Sequence, residues 1–72
     1  MPTHALEQGF GARLRLLRLR RALSQRDLAR RARLSEVTVI RLEAETNMPR
    51  PSTVRALALA LGVQPLELTT DG

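Results

Sequence analysis

Arginine is the side chain that offers the most chemistry in this sequence. The 72 residues contain 12 basic side chains, all of them arginine, against seven acids, which gives a formal net charge of +5. A guanidinium can grip a phosphate or a base edge through two parallel hydrogen bonds, and a strongly basic small domain favours nucleic acid or an acidic membrane surface. Codon bias in a GC-rich genome also produces arginine without lysine, so charge alone does not decide between these readings.

The other reactive residue types form no catalytic or metal-binding set. His4 is the only histidine, there is no cysteine, and no glycine-rich phosphate loop occurs. His4 has no partner at metal or triad spacing, so we expect it to be solvated and without a role. The sequence therefore predicts neither an enzyme nor a bound metal or other cofactor.

Two short helices joined by a tight turn are predicted between Ser24 and Glu43. Ser24 can cap the first helix, with Asp27 as its capping-box acid, and Ser35 can cap the second. Apolar spacing supports both helices, through Leu28, Ala29 and Ala32 in the first and through Val39 and Leu42 in the second. Helices this short are not stable alone in water, so they must pack on each other and on neighbouring helices. This geometry is a helix-turn-helix, whose second helix can enter a DNA major groove.

Flanking helices are predicted to complete a small core. Residues 9–22 form one helix, with Phe10, Leu14 and Leu17 on one face. Another helix begins at Pro51 and ends at Gly62, and residues 65–68 add a short turn. The inward face of the helix that begins at Pro51 consists of Val54, Leu57, Ala58 and Leu61. The predicted fold is all-α, with one domain over residues 9–68, a flexible arm over 1–8 and a frayed end over 69–72.

An ordered set of residues resembles a known family. The sequence carries Ser-Gln-x-x-Leu-Ala at 24–29 and Leu-Ser-x-x-Thr-Val-x-Arg-Leu-Glu at 34–43. These are followed by Pro49, Thr53, Leu57, Ala58, Leu61, Gly62 and Val63. Together they resemble the Cro/lambda-repressor-like, or XRE, helix-turn-helix family over roughly residues 9–68. The resemblance implies a compact four- to five-helix DNA-binding domain.

The resemblance also implies that residues 35–44 form a recognition helix. The family's base-contacting positions fall on Glu36, Val37 and Arg41. Arg41 can bind O6 and N7 of guanine, Val37 can contact a thymine methyl, and Glu36 can accept from N4 of cytosine. The Glu36 carboxylate also repels phosphates. Ile40 stands where the family is usually polar, so it either packs sideways or adds an apolar DNA contact.

DNA phosphates are expected to meet a second group of side chains. Gln25 lies at a helix N-terminus, where free N–H groups and the positive dipole end attract an anion, and the family pattern assigns its amide to a phosphate. Ser35 and Thr38 suit phosphate or backbone contacts. Arg50, near the N-terminus of the following helix, is a further expected phosphate ligand.

The resemblance further implies an ion pair between Arg18 and Glu43, because a half-buried acid needs a cation. The alternative is that Arg18 is an independent surface residue. Arg33 and Glu45 replace glycines that the family has in the turn and after the recognition helix. A left-handed conformation costs a non-glycine residue roughly 1 kcal/mol, so a looser turn or a shifted helix end is expected.

Several leucines are not needed for the predicted core. Leu16 and Leu19 lie opposite the core face of the first helix and are either a partner contact or a coincidence. Near the C-terminus, Leu59, Leu66 and Leu68 are candidates for a dimer contact, although Leu66 could instead close the core.

The predicted function is sequence-specific binding of double-stranded DNA by a transcriptional regulator, in the form of a repressor. A symmetric homodimer would place two recognition helices in successive major grooves, about 34–36 Å apart. The alternative is a protein-interaction module or antitoxin-like partner with weak DNA binding, for which a protein partner would be needed. Membrane-surface binding by the first helix is disfavoured because its Phe10 face is required for the core. The sequence shows no signal peptide or membrane span, so a cytoplasmic, nucleoid-associated location of bacterial or phage type is expected.

Overall fold

The computed structural model describes residues 9–45 and 48–69, and within these ranges every regular secondary-structure element is an α-helix. Its five helices are α1 (Phe10–Arg20), α2 (Gln25–Ala32), α3 (Glu36–Ala44), α4 (Pro51–Leu61) and α5 (Pro65–Thr69). The predicted all-α fold with four to five helices is confirmed. Helix α5 includes Thr69, which the sequence had assigned to the frayed end. The predicted arm over 1–8 and the remaining tail residues lie outside the described residues, in which no helix is long and apolar enough to cross a membrane.

Both helices of the central motif begin at the predicted caps. The Ser24 hydroxyl accepts a hydrogen bond from the Asp27 N–H at 2.9 Å, and the Asp27 carboxylate accepts one from the Ser24 N–H at 3.2 Å. The main-chain hydrogen bond from Ser24 holds the pKa of the Asp27 carboxyl below its ordinary value. The Ser35 hydroxyl accepts from the Thr38 N–H at 3.1 Å. These side chains satisfy N–H groups that have no partner within the helix itself.

A single apolar core receives side chains from all five helices. The predicted inward faces are confirmed: Phe10, Leu14, Leu28, Val39 and Leu57 are among its most deeply buried members. The loop residue Leu23 joins this core as well, although no helical spacing in the sequence identifies it. The core therefore spans the whole described chain without any disulfide, since cysteine is absent.

The C-terminal helix corrects one prediction. Leu68, proposed as a dimer contact, is 0% exposed, whereas Leu66 is 68% exposed. Two positions in a helix differ by about 200°, so burying one of these leucines turns the other outward. The Arg13 guanidinium donates to the Leu68 carbonyl at 3.1 Å and ties this end of α5 to α1. Leu68, not Leu66, closes the core.

The two positions where glycine was expected behave differently. Arg33 caps α2 in the left-handed conformation, with φ 59° and ψ 42°, so this turn does require the backbone that glycine favours. Glu45 is extended, with φ −113° and ψ 157°, and α3 ends at Ala44. Helix α3 therefore ends at Ala44 as predicted, and the chain leaves it through a conformation that any residue adopts.

Replacing Arg33 by glycine should stabilise the fold. Arg33→Gly removes the steric cost of the left-handed backbone but makes the unfolded chain more flexible, so we expect a net gain of about 0.5–1 kcal/mol. Urea denaturation would measure this gain. Arg31→Gly, inside α2, is the matched control and should lose about 1 kcal/mol. A loss in both variants would mean that the Arg33 side chain contributes more than its backbone conformation costs.

Candidate nucleic-acid interface

Helix α3 exposes the side chains that the sequence assigned to base contact. Glu36, Val37 and Arg41 are all exposed, as is Ile40, while Val39 on the opposite side is fully buried. The four exposed residues fall within about 140° around the helix. One cation, one acid and two apolar side chains on this face can offer donors, acceptors and methyl contacts to base edges.

The Glu36 carboxylate has a neighbour that the sequence reading did not single out. Arg26 Nε on α2 lies 3.5 Å from Glu36 Oε1 on α3, and both side chains remain largely in solvent. Arg26 is the second residue of α2 and Glu36 the first residue of α3. The turn between the two helices thus brings a cation to the beginning of α3. No local spacing signals this contact, because it depends on how α2 and α3 cross.

A buried ion pair fixes the other end of α3. Arg18 Nε lies 2.5 Å from Glu43 Oε2 and Arg18 Nη2 lies 3.0 Å from Glu43 Oε1. The two side chains are only 9% and 5% exposed. Arg18 Nη1 also donates to the Leu23 carbonyl at 2.8 Å. The hydrogen bond to Glu43 raises the pKa of the Arg18 guanidinium, and this arrangement is the bidentate pair that the resemblance implied.

Gln25 belongs to the same network. Its side-chain amide donates to Glu43 Oε1 at 3.1 Å, so the residue expected to bind a phosphate already contacts α3. An amide nitrogen carries two hydrogens, and one contact to Glu43 leaves the second available. The Ser24 cap occupies the N–H of Asp27, which leaves the main-chain N–H groups of Gln25 and Arg26 as first-turn donors.

A shallow depression adjoins this network on the same surface. Its lining consists of Arg15, Arg18, Gln25, Ile40, Glu43 and Ala44. Ile40 is 44% exposed at this rim, so it neither joins the core nor stands fully in solvent. Arg15 adds a cation that was not among the predicted site residues. Nothing in the sequence distinguishes it from any other exposed arginine opposite the core face of α1. The depression joins α1, the start of α2 and the end of α3.

The remaining predicted phosphate ligands lie at helix N-termini. Ser35 Oγ and Thr38 Oγ1 lie 2.8 Å apart in the first turn of α3. Arg50 is the exposed N-cap residue of α4, and its side chain makes no capping hydrogen bond. Anions are attracted to such ends because the first N–H groups point outward.

Gly11 forms a close contact with the C-terminal end of α3. Its N–H donates to the Glu45 carbonyl at 3.1 Å. A Cβ at this position would come within 3.0 Å of the main-chain carbonyl oxygens of Leu42, Glu43 and Glu45. The N-terminal turn of α1 therefore meets the carbonyl end of α3, an arrangement that is favourable for both helix dipoles. The sequence showed only a glycine inside a helix, and nothing local reveals why it must be one.

The chain is similar to a known protein family and to a solved structure. The model of the helix-turn-helix domain family matches residues 10–70. A solved structure, the restriction-modification controller protein C.AhdI from Aeromonas hydrophila, is similar with a TM-score of 0.78 and 37% sequence identity. This similarity covers 82% of the present chain and 89% of that one. No curated protein sequence matches.

Proposed function

The chain belongs to the helix-turn-helix domain family, in its Cro/lambda-repressor-like form, and from this premise we propose that it binds a specific duplex DNA sequence and regulates transcription there. The observation that carries the proposal is the exposed face of α3. Glu36, Val37 and Arg41 share this face on a helix whose opposite side is buried. A basic chain of net charge +5 supplies the attraction to the DNA backbone.

We assign base contacts to Arg41, Val37 and Glu36. Arg41 would donate two hydrogen bonds to guanine, Val37 would contact a thymine methyl, and Glu36 would accept from the amino group of cytosine. Ile40, beside them, would add an apolar contact at the edge of the interface.

Phosphate contacts are assigned to the helix N-termini around this face. Gln25 would use its second amide hydrogen together with the free N–H groups of the α2 N-terminus. Ser35 and Thr38 share one hydrogen bond between their hydroxyls, so whichever of the two accepts in that bond would donate to a phosphate at the start of α3, and Arg50 would bind a phosphate at the start of α4. These contacts fix the register of α3 in the groove but carry no sequence information directly.

Arg41→Ala should reduce discrimination at one base pair by about 1–3 kcal/mol, because it removes a bidentate contact to guanine. Competition binding with single-base variants of the preferred site would measure this loss. Gln25→Ala is the matched comparison and should weaken binding to all sequences alike. If Arg41→Ala also weakened all sites equally, Arg41 would be a phosphate ligand. A changed sequence preference in Gln25→Ala would contradict its assignment.

We further propose that the protein acts as a symmetric homodimer. Leu59 on α4 is 84% exposed and Leu66 on α5 is exposed as well, so each offers apolar surface that a second copy could cover. One small domain makes few phosphate contacts, and two copies would double the contacts while spacing two α3 helices by one helical turn of DNA.

The double variant Leu59→Glu/Leu66→Glu should dissociate the dimer, because it would place charges at the centre of the contact. We expect dimer affinity to fall by about 100-fold or more. Sedimentation equilibrium would measure it, and the helical content should stay unchanged because both positions face solvent. Leu16→Glu/Leu19→Glu, at two exposed leucines of α1, is the control and should remain dimeric. The reverse pattern would move the dimer contact to α1.

The regulatory role that we propose is repression, by a bound dimer that blocks access to a promoter in a bacterial or phage setting. C.AhdI is described as a restriction-modification controller protein, and its 37% identity makes promoters of restriction-modification genes the first natural sites to test.

Selection of binding sites from a random duplex library, at two salt concentrations, tests the proposed function directly. Recovery of an inverted repeat with half-sites about one helical turn apart would support a dimeric, specific regulator. Binding that is salt-sensitive but shows no sequence preference would overturn it. That outcome would favour the second candidate, a protein-interaction module, for which the exposed Leu16 and Leu19 of α1 supply an apolar surface.

A further inference from the structure

We propose that Arg26 is a specificity-determining residue, which acts by keeping the Glu36 carboxylate usable for base recognition beside the DNA phosphates. This inference rests on the proposed function, since it concerns the same surface. All the proposed base contacts lie on α3, so this inference gives α2 a part in recognising the DNA sequence as well.

The geometry supplies the starting point. Arg26 Nε lies 3.5 Å from Glu36 Oε1, with the two side chains 67% and 43% exposed. An ion pair this exposed contributes little to folding stability. Its position is more informative than its strength, because Glu36 is the first residue of α3 and lies at the end of that helix where first-turn N–H groups meet an anion.

A carboxylate in this place faces two opposing demands. It must approach the groove to accept a hydrogen bond from cytosine, and it is repelled by the phosphates on either side. A guanidinium beside it reduces this repulsion. Arg26 contacts Glu36 through Nε, which leaves the donors of its two terminal nitrogens for another acceptor.

A DNA phosphate is the acceptor that this arrangement fits. Arg26 stands in the first turn of α2, next to Gln25 and the free N–H groups of that helix end. One guanidinium can then hold the phosphate and the Glu36 carboxylate together, so that the acid is both neutralised and oriented. Arg26 and Glu36 should therefore act on DNA binding as a unit, and not as two independent side chains.

A double-mutant cycle on the selected DNA site tests this coupling. The wild type, Arg26→Ala, Glu36→Ala and the double variant would be compared at one salt concentration. We expect Arg26→Ala to weaken binding about tenfold when Glu36 is present and about threefold or less when it is absent. Against site variants at the base pair that Glu36→Ala identifies, Arg26→Ala alone should lose most of the discrimination.

Arg31→Ala is the matched control. It removes the same charge from the same helix, but position 31 lies about 140° away from position 26 around α2. Its cost should be the same with and without Glu36, and it should leave discrimination unchanged. Thermal unfolding of each variant would establish that the fold is retained.

The outcomes separate this inference from the function on which it rests. If Arg26→Ala weakens binding equally in both backgrounds, or leaves discrimination intact, Arg26 is at most a phosphate ligand and the inference is overturned alone. If the wild type has no preferred DNA sequence, the proposed function fails and the inference fails with it.

Discussion

Arg18→Met is expected to lower the free energy of unfolding by about 3–5 kcal/mol, because it leaves the Glu43 carboxylate buried without its cation. The pair is closed from solvent, and Arg18 also holds the Leu23 carbonyl. Only the amide of Gln25 would remain as a hydrogen-bond donor to Glu43 among the contacts described. A loss of this size is a large part of the stability of a small domain. Urea denaturation followed by circular dichroism would measure it.

Two further variants separate the buried charge from the loss of an arginine as such. Arg20→Met, on the exposed side of α1, should change stability by less than about 0.5 kcal/mol. Arg18→Met/Glu43→Leu removes both charges and should recover much of the loss, since apolar replacements of a buried pair are often neutral. If the double variant were less stable than Arg18→Met, the damage would come from the lost contact to Leu23 or from packing.

Gly11→Ala is expected to cost about 3 kcal/mol and to displace the C-terminal end of α3. The added methyl group would collide with three main-chain carbonyl oxygens, and a backbone cannot yield as the tip of a flexible side chain can. Thermal unfolding would give the loss of stability. Binding to the selected DNA site, at a temperature where the variant is folded, would show a further loss because α3 no longer fits its groove.

Gly9→Ala is the matched control for this substitution. Gly9 precedes α1 with an extended backbone, φ −73° and ψ −168°, which alanine adopts readily. It should cost at most about 1 kcal/mol, through the weaker capping preference of alanine. Equal losses at positions 9 and 11 would mean that the contact of Gly11 with α3 accommodates a methyl group, since alanine is otherwise favoured over glycine inside a helix.

The parts of the fold that were predictable are those encoded by short-range patterns. Ser24 with Asp27 marks the start of one helix and Ser35 marks the start of the next, and both caps form. The inward face of α4 follows from helical spacing alone. These signals predict structure correctly because the interactions behind them join residues that are only a few positions apart.

The parts that escaped prediction depend on how distant segments meet. The packing of α5 against α1 decides whether Leu66 or Leu68 turns inward. Arg13 and Leu68, which form a hydrogen bond between these helices, are 55 residues apart along the chain. The contact between Arg26 and Glu36 depends on the crossing of α2 and α3. The residues of the Arg18 and Glu43 pair are 25 positions apart in sequence, and the pair was anticipated only through the family resemblance. The assignments to bases and phosphates stay predictions that binding experiments must decide.

Because both ends of α3 are held in place, they also influence the entropy and heat-capacity change when this helix binds a ligand. The Ser35 cap holds one end, and Gly11 and Arg18 hold the other. A helix already ordered in the free protein loses little conformational entropy on association. The heat-capacity change of binding then reflects the surface removed from water, without the larger contribution that accompanies coupled folding. For the same reason, the association rate is governed by electrostatic steering of the basic surface and not by a folding step.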